Sequence, residues 1–268
     1  MTRLTQNLLS LCRVLVPAIC IAVVPAGSAF AADALADIKK ANRVKIAVPQ
    51  DFPPFGSIGK DMQPVGYDID TAKLIAEGLG VRLELVPVTS TNRIPYLTTG
   101  KVDLVISSLG KNPERAQVID FSNAYAPFYS GVFGPADTSV KVAADLAGKS
   151  IAVTRGAIED LALTEVAPAG AVIRRFEDNS ATIAAYLSGQ TQLIATGNIV
   201  VAGINGQNPG VLLETKFMLK NSPCYVGLNK NQIPLLEAVN SIIDKAKKDG
   251  ALEKISRTWL HFALPPDL

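Results

Sequence analysis

Residues suited to binding an anion follow one apolar stretch of this chain. Ser108 and Gly110 come directly after the apolar run 102–106, and Arg115 follows them on what reads as a helix. Hydroxyls and backbone N–H groups at the end of a buried parallel strand lie at the sheet edge where α/β proteins bind ligands. A guanidinium group holds a carboxylate through two parallel, charge-assisted hydrogen bonds. The pattern therefore predicts a carboxylate site at Ser108, Gly110 and Arg115.

A second interpretation of Arg115 is a surface ion pair with Glu114 or Asp120, which is the usual explanation for an arginine on a helix. Pro113 suits the first helical position, where its missing N–H group costs nothing. Arg115 then falls in the first turn, beside the serine and glycine. This combination favours binding over the surface pair.

The segment "TRGAIED" is a second candidate for anion binding. Gly156 and Ala157 stand at the predicted start of a helix, where free N–H groups and the helix dipole favour negative charge. We expect Thr154 and Ala157 to contact the carboxylate from this side. The alternative is an ordinary strand-to-helix turn that needs Gly156 only for its geometry.

Residues 1–31 have the pattern of a cleavable export signal. Arg3 and Arg13 flank the start of an apolar run, which ends in a small-residue cleavage pattern at Ala29 and Ala31. We therefore predict that residues 1–31 are a signal peptide and that the mature protein is periplasmic.

Two other interpretations of this segment are less favoured. A retained membrane anchor needs roughly 18 uninterrupted apolar residues, whereas Pro17 and Pro25 interrupt this run. Lipid attachment at Cys20 is disfavoured because Ile19, before it, is not small.

Charge and cysteine content exclude some classes of function. Without Arg3 and Arg13, which account for the formal net charge of +2, basic and acidic side chains are equal in number. Nucleic acid is therefore not expected as a partner, since it requires a basic surface. Cys224 would remain as the single cysteine, and its apolar neighbours predict a buried core residue. We expect no cofactor and no metal, because no cluster of metal ligands is apparent.

The order of predicted elements indicates the fold. A β-α-β-α-β order over 43–106 recurs after residue 150, and 225–268 adds one strand and an amphipathic helix that returns to the first set. The prediction is an α/β protein of two similar lobes with open, mostly parallel sheets. Residues 32–132 with 225–268 would form lobe 1, and 133–224 lobe 2.

Several segments, in order, resemble one family across essentially the whole mature chain. They are "DFPPFG", "GYDIDTAKLIAEGLG", "TNRIPYLTTGKVDLVISSLGKNPERAQVIDFSNAY", "LAGKSIAVTRGAIED", "YLSGQTQLIATGN" and "KKDGALEKISRTWL". The chain is similar to the amino-acid-binding family 3 of extracytoplasmic solute-binding proteins of ABC importers. The resemblance implies a periplasmic-binding-protein type II fold, hinged by two strands near 130–134 and 224–228. It also implies a monomer that passes a small ligand to a permease.

The resemblance also implies roles for individual residues. Arg115, helped by Ser108 and Gly110, would bind the α-carboxylate of the ligand, and Phe52 would lie over the ligand. Phe55 would belong to the core. Thr154, Ala157, Glu159 and Asn198 would complete the site from the second lobe.

One position departs from the family pattern. Gly197 stands where members that bind α-amino acids usually have an aspartate for the ligand ammonium. Glu159 or Asp51 would supply the negative charge instead, or the ligand lacks an α-ammonium group.

Two other functions stay open beside amino-acid import. A cyclohexadienyl dehydratase-like enzyme on the same fold would use Glu159 as a general acid. A sensor would dock onto a signalling receptor. We expect a binding protein and no enzyme, because no nucleophile stands beside a recognisable base.

Overall fold

The computed structural model describes residues 33–208 and 210–268, and these form one compact unit. The predicted signal peptide lies outside the described residues. The strands are β1 (Arg43–Pro49), β2 (Ser57–Ile58), β3 (Pro64–Val65), β4 (Arg82–Val88), β5 (Leu104–Val105), β6 (Ile119–Ala126), β7 (Tyr129–Gly134), β8 (Ser150–Thr154), β9 (Val172–Phe176), β10 (Leu193–Gly197), β11 (Glu214–Asn221) and β12 (Cys224–Asn229). The helices are α1 (Ala34–Ala41), α2 (Tyr67–Leu79), α3 (Arg93–Thr98), α4 (Pro113–Val118), α5 (Ile158–Val166), α6 (Asn179–Leu187), α7 (Asn198–Gln207), α8 (Ile233–Lys248) and α9 (Ala251–Trp259), with a 3-10 turn at Ala143–Leu146.

Two five-stranded sheets organise the molecule. The first sheet has the order β4-β1-β5-β12-β6, and the second sheet has the order β11-β7-β10-β8-β9. In the first, β4, β1 and β5 are parallel, and β12 runs antiparallel to both of its neighbours. In the second, β10, β8 and β9 are parallel, and β7 and β11 add an antiparallel edge. The predicted α/β fold with open, mostly parallel sheets is confirmed.

Hydrophobic periodicity accounts for the helix that covers the first sheet. The buried face of α2 contains Ile69, Ala72, Ile75, Ala76 and Leu79, which recur at helical spacing. Gly80, in the left-handed conformation (φ 65°), ends the helix.

The chain crosses from the first sheet to the second between β6 and β7, and it returns between β11 and β12. Helix α8 packs on β6 and α2, and α9 packs on α2 and α8. Cys224 is fully buried at the start of β12, as expected. In the described residues, no helix is long and apolar enough to cross a membrane.

Candidate ligand-binding site

The turn after β5 has a strained conformation that two buried side chains hold in place. Ser108 has a positive φ of 39°, which residues other than glycine rarely adopt. Its backbone N–H donates to Asp68 Oδ2 at 2.7 Å, and Arg93 Nη1 donates to the carbonyl of Ser107. The backbone at the sheet edge is thus oriented by α2 and α3.

Asp68 is a fully buried acid at the start of α2. Besides Ser108, it accepts a hydrogen bond from the Tyr125 hydroxyl at 2.7 Å, and the Tyr67 hydroxyl donates to the Tyr125 carbonyl at 2.7 Å. Burial raises the pKa of Asp68 to about 7, although the bonds from Tyr125 and Ser108 and the charge of Arg93 favour ionisation. Sequence reasoning missed both Asp68 and Arg93.

Replacing Asp68 by Asn should remove a pH dependence of stability. The folded-state pKa of about 7 lies above the ordinary value of 3.8, so the folded protein binds this proton more tightly than the unfolded chain. The free energy of unfolding of the wild type should therefore fall by about 3 kcal/mol, relative to Asp68→Asn, as the pH rises from about 4 to about 7. Urea denaturation of both proteins across this range measures the difference. A difference that is constant or rises with pH would contradict the assignment.

Arg115 is buried at the junction of the two sheets. The side chain of Asn112 caps α4 by accepting from the Arg115 N–H at 2.9 Å. Arg115 Nη1 donates to the carbonyl of Gly110 at 2.8 Å, and Nη2 donates to the carbonyl of Gly156, beyond β8, at 2.9 Å. Burial lowers the pKa of Arg115 to about 9, and the charge of Arg93 acts in the same direction.

The surface ion pair considered for Arg115 does not form. Arg115 is only 5% exposed. Asp120 instead pairs with Lys230 at 2.7 Å. The Arg115 guanidinium group has five donors and uses two of them for these carbonyls, so it retains donors for a ligand.

A small, partly enclosed cavity lies between the two sheets. Its volume is about 20 Å³, which is roughly enough for one water molecule. Four predicted site residues line it, Phe52 and Ser108 from the first sheet's side and Ala157 and Glu159 from the second's. A ligand of amino-acid size therefore requires the two sides to move apart.

Four other predicted site residues do not line this cavity: Gly110, Arg115, Thr154 and Asn198. A Cβ atom on Gly110 would lie 2.3 Å from Ser222 Oγ, so glycine permits the close approach of that segment. Asn198 starts α7, where its Oδ1 accepts from the Tyr129 N–H at 3.1 Å, and it lines a different, 700 Å³ groove.

The second side of the cavity is linked to the first through Asn179. The Thr154 hydroxyl donates to Asn179 Oδ1 at 2.8 Å. Asn179 in turn donates to Asp51, from its backbone N–H at 2.6 Å and from Nδ2 at 3.3 Å. The Ala157 N–H donates to the Thr154 carbonyl at 3.1 Å. In this conformation the predicted donors Thr154 and Ala157 are thus engaged within the protein.

Glu159 is a buried acid in the first turn of α5. Burial raises its pKa, against the effects of its own backbone N–H and of the charges on Arg93 and Arg115. Asp51, the other acid considered for a ligand ammonium, is already bound to Asn179. Glu159 is therefore the acid of the cavity wall that is available to a ligand cation.

An aromatic cluster forms the remaining wall. The ring of Phe52 stacks on Phe55 with centroids 5.8 Å apart and lies 6.5 Å from Phe128. Phe55 is fully buried, as predicted for the core, whereas Phe52 and Phe128 line the cavity.

Phe128 also occupies the space beside Gly197. A Cβ atom at Gly197 would lie 2.1 Å from Phe128 Cζ. Any side chain at 197, an aspartate included, would displace the ring. No signal in the sequence connects these two positions, because they lie on different segments that meet only in the fold.

Comparison with known proteins identifies the family. The model of the bacterial extracellular solute-binding proteins, family 3, matches residues 44–262. The chain belongs to this family.

Among the described residues, no group of three or more His, Cys, Asp and Glu residues could hold a metal ion.

Relatives of this solute-binding protein span nearly the same length. The ABC transporter glutamine-binding protein GlnH of Bacillus subtilis is 28% identical over 233 residues, which cover 85% of each chain. The solute receptor for L-cysteine of Neisseria gonorrhoeae has a TM-score of 0.79 at 28% identity, covering 87% of this chain and 97% of its own.

One further structure is an ancestral amino acid-binding protein, AncCDT-1, described as a precursor of cyclohexadienyl dehydratase. Its TM-score is 0.76 at 31% identity, covering 84% of this chain and 99% of its own. The family assignment confirms the predictions of a type II binding-protein fold and of an extracytoplasmic solute-binding protein, and GlnH, one of the relatives, is named as a binding protein.

Proposed function

We propose that this protein captures an amino acid and delivers it to the permease of an ABC importer. The observation that carries the proposal is the small cavity between the two sheets, whose wall contains two predicted site residues from each sheet's side. The names of the relatives support an amino-acid ligand, since GlnH binds glutamine and the Neisseria receptor binds L-cysteine. The periplasm is the proposed location, on the basis of the export signal predicted in residues 1–31.

The proposed mechanism is closure of two lobes around the ligand. The lobes would be residues 32–132 with 225–268, and 133–224, which move about the two crossings between the sheets. A ligand that contacts both sides favours the closed form by the difference between its affinities for the closed and open forms. The hydrogen bonds from Arg115 to Gly156 and from Asn179 to Asp51 would also stabilise the closed form, because each joins the two sides of the cleft.

In the proposed complex, Arg115 binds the α-carboxylate of the amino acid with help from Ser108 and Gly110. Asp68 holds the backbone N–H of Ser108, and Ser108 lines the cavity. Phe52 packs on the ligand. Thr154 and Ala157 contribute donors from the second side after the lobes rearrange around the ligand. Asn198, which accepts from the Tyr129 N–H and lines a different groove, has no direct ligand contact in this proposal.

Calorimetric titration with the twenty common amino acids tests this function. One or more should bind with 1:1 stoichiometry, with dissociation constants of roughly micromolar order or below, equivalent to about −8 kcal/mol. No binding by any amino acid, together with turnover of prephenate, would overturn the proposal in favour of the dehydratase.

A single Gly197→Asp substitution should destabilise the protein instead of restoring the aspartate seen in the family. The new side chain must displace the Phe128 ring, and such overpacking costs about 1–3 kcal/mol. Combining it with Phe128→Ala should recover stability relative to Gly197→Asp alone. The variant Phe128→Ala is the control for the lost ring, and thermal denaturation measures all three. Wild-type stability of Gly197→Asp alone would show that the ring does not fill this position.

A further inference from the structure

Arg93 is a buried cation that the proposed α-amino and α-carboxylate contacts do not use. Arg93 is the first residue of α3, lines the cavity and is only 4% exposed. Nη1 donates to the Ser107 carbonyl, whereas Nε is buried without a hydrogen-bond partner. The guanidinium group of a residue that lines the cavity is thus incompletely satisfied.

No carboxylate of the described residues forms an ion pair with Arg93 within 4.0 Å. Glu159 acts on Arg93 electrostatically more strongly than Asp68 does, but Glu159 acts on Arg115 as well. The oxygens of Asp68 already accept from Ser108 and Tyr125. Burial also raises the pKa of Asp68 to about 7, which leaves it partly protonated near neutral pH. Asp68 therefore does not neutralise Arg93 fully.

A buried arginine without a carboxylate partner opposes folding, because desolvation of the charge is not compensated. In natural proteins, a buried charge that lacks a compensating partner is expected at functional sites. Arg93 faces the ligand cavity, so the compensating anion is expected to come from the ligand.

The charges around the cavity indicate which ligand would do so. Arg93 and Arg115 are two cations. Glu159 is an acid of the cavity wall that bonds to its own backbone N–H, whereas Asp51 accepts twice from the other side of the cleft, from Asn179. An acidic amino acid has the complementary set, which is two carboxylates and one ammonium group. Neutral and basic amino acids leave one arginine without an anion.

We infer that the ligand is an amino acid with a second carboxylate, of the aspartate or glutamate class, and that Arg93 binds its side-chain carboxylate. The inference rests on the proposed amino-acid-binding function and goes beyond it by naming the ligand class. Arg115 takes the α-carboxylate and Glu159 the ammonium group.

Calorimetry with two isosteric pairs tests the inference on the wild-type protein. L-Glutamate is compared with L-glutamine, and L-aspartate with L-asparagine. In at least one pair the acid should bind about ten- to hundredfold more tightly than its amide, because its carboxylate forms charge-assisted hydrogen bonds where the amide forms weaker ones. Amides that bind as tightly as the acids overturn the inference and leave the proposed function intact. If none of the twenty common amino acids binds, both fail.

The substitution Arg93→Met identifies the residue responsible. It keeps the volume and removes the charge, so the acid-to-amide preference should be lost. The control is Arg155→Met, because Arg155 is exposed, pairs with Glu177 at 2.9 Å and lies on the second side of the same cleft. Its acid-to-amide preference should match that of the wild type.

A thermal melt without ligand separates binding from a structural role. Arg93→Met removes an unpaired buried charge but also the bond to the Ser107 carbonyl, so its melting temperature should stay close to that of the wild type. A lower melting temperature with an unchanged acid-to-amide preference would assign Arg93 to the fold and overturn the inference.

Discussion

Arg115→Ala should weaken amino-acid binding by roughly two to four decades. The substitution removes a pair of charge-assisted hydrogen bonds to the ligand carboxylate, each contributing about 1.5–3 kcal/mol. The position of the guanidinium supports this size of effect, because it is buried and contacts backbone from both sides of the cleft at Gly110 and Gly156. Calorimetric titration of the variant with the ligand of the wild type gives the ratio of dissociation constants.

The matched control for Arg115 is Arg155→Ala. Arg155 precedes Gly156 in the chain but is exposed, so its removal takes away a positive charge near the cleft without touching the cavity. Its affinity should stay close to that of the wild type. Stability should change little in Arg115→Ala, because two lost hydrogen bonds are offset by removal of a buried charge. Binding by Arg115→Ala at wild-type affinity would end the proposed carboxylate site.

The second large effect is expected for Glu159→Gln. If Glu159 pairs with the ligand ammonium, its neutral isostere should weaken α-amino acids by about ten- to hundredfold, while analogues without the amino group lose little. Calorimetry with the amino acid and its deaminated analogue measures the two changes. Glu177→Gln is the control, because Glu177 is an exposed acid on the same side of the molecule.

Stability gives an independent check on Glu159. Because burial raises its folded-state pKa, ionised Glu159 disfavours the folded protein above the ordinary pKa of a glutamate. Glu159→Gln should therefore be at least as stable as the wild type at neutral pH.

In the binding experiment, an unchanged preference of Glu159→Gln for the amino acid over its deaminated analogue would mean that the ammonium, if the ligand has one, binds elsewhere.

Local patterns predicted much of the fold. The apolar period of α2, its ending at Gly80 and the buried run before Ser108 depend on neighbouring residues, so the sequence shows them directly. Arg115 was also recognisable, because the serine, glycine and proline that position it stand within a few residues of it. These features depend on short-range geometry.

The missed residues depend on contacts between distant segments. In the sequence, Arg93 looks like an ordinary polar residue of a short helix. It is buried only because the fold places it against the Ser107 carbonyl and near the charge of Glu159. Asp68 reads as a solvated first-turn acid, although it accepts from Tyr125, 57 residues away. The contact between Phe128 and Gly197 is of the same kind.

The most direct test of the account is a crystal structure of the protein with the amino acid that calorimetry shows to bind most tightly. The α-carboxylate should lie about 3 Å from Arg115, inside the cavity walled by Phe52, Ser108 and Glu159, with the lobes closed around the ligand. A ligand bound outside this cavity, for example in the groove beside Asn198, or one that makes no contact with Arg115, would contradict the proposed site and the function built on it.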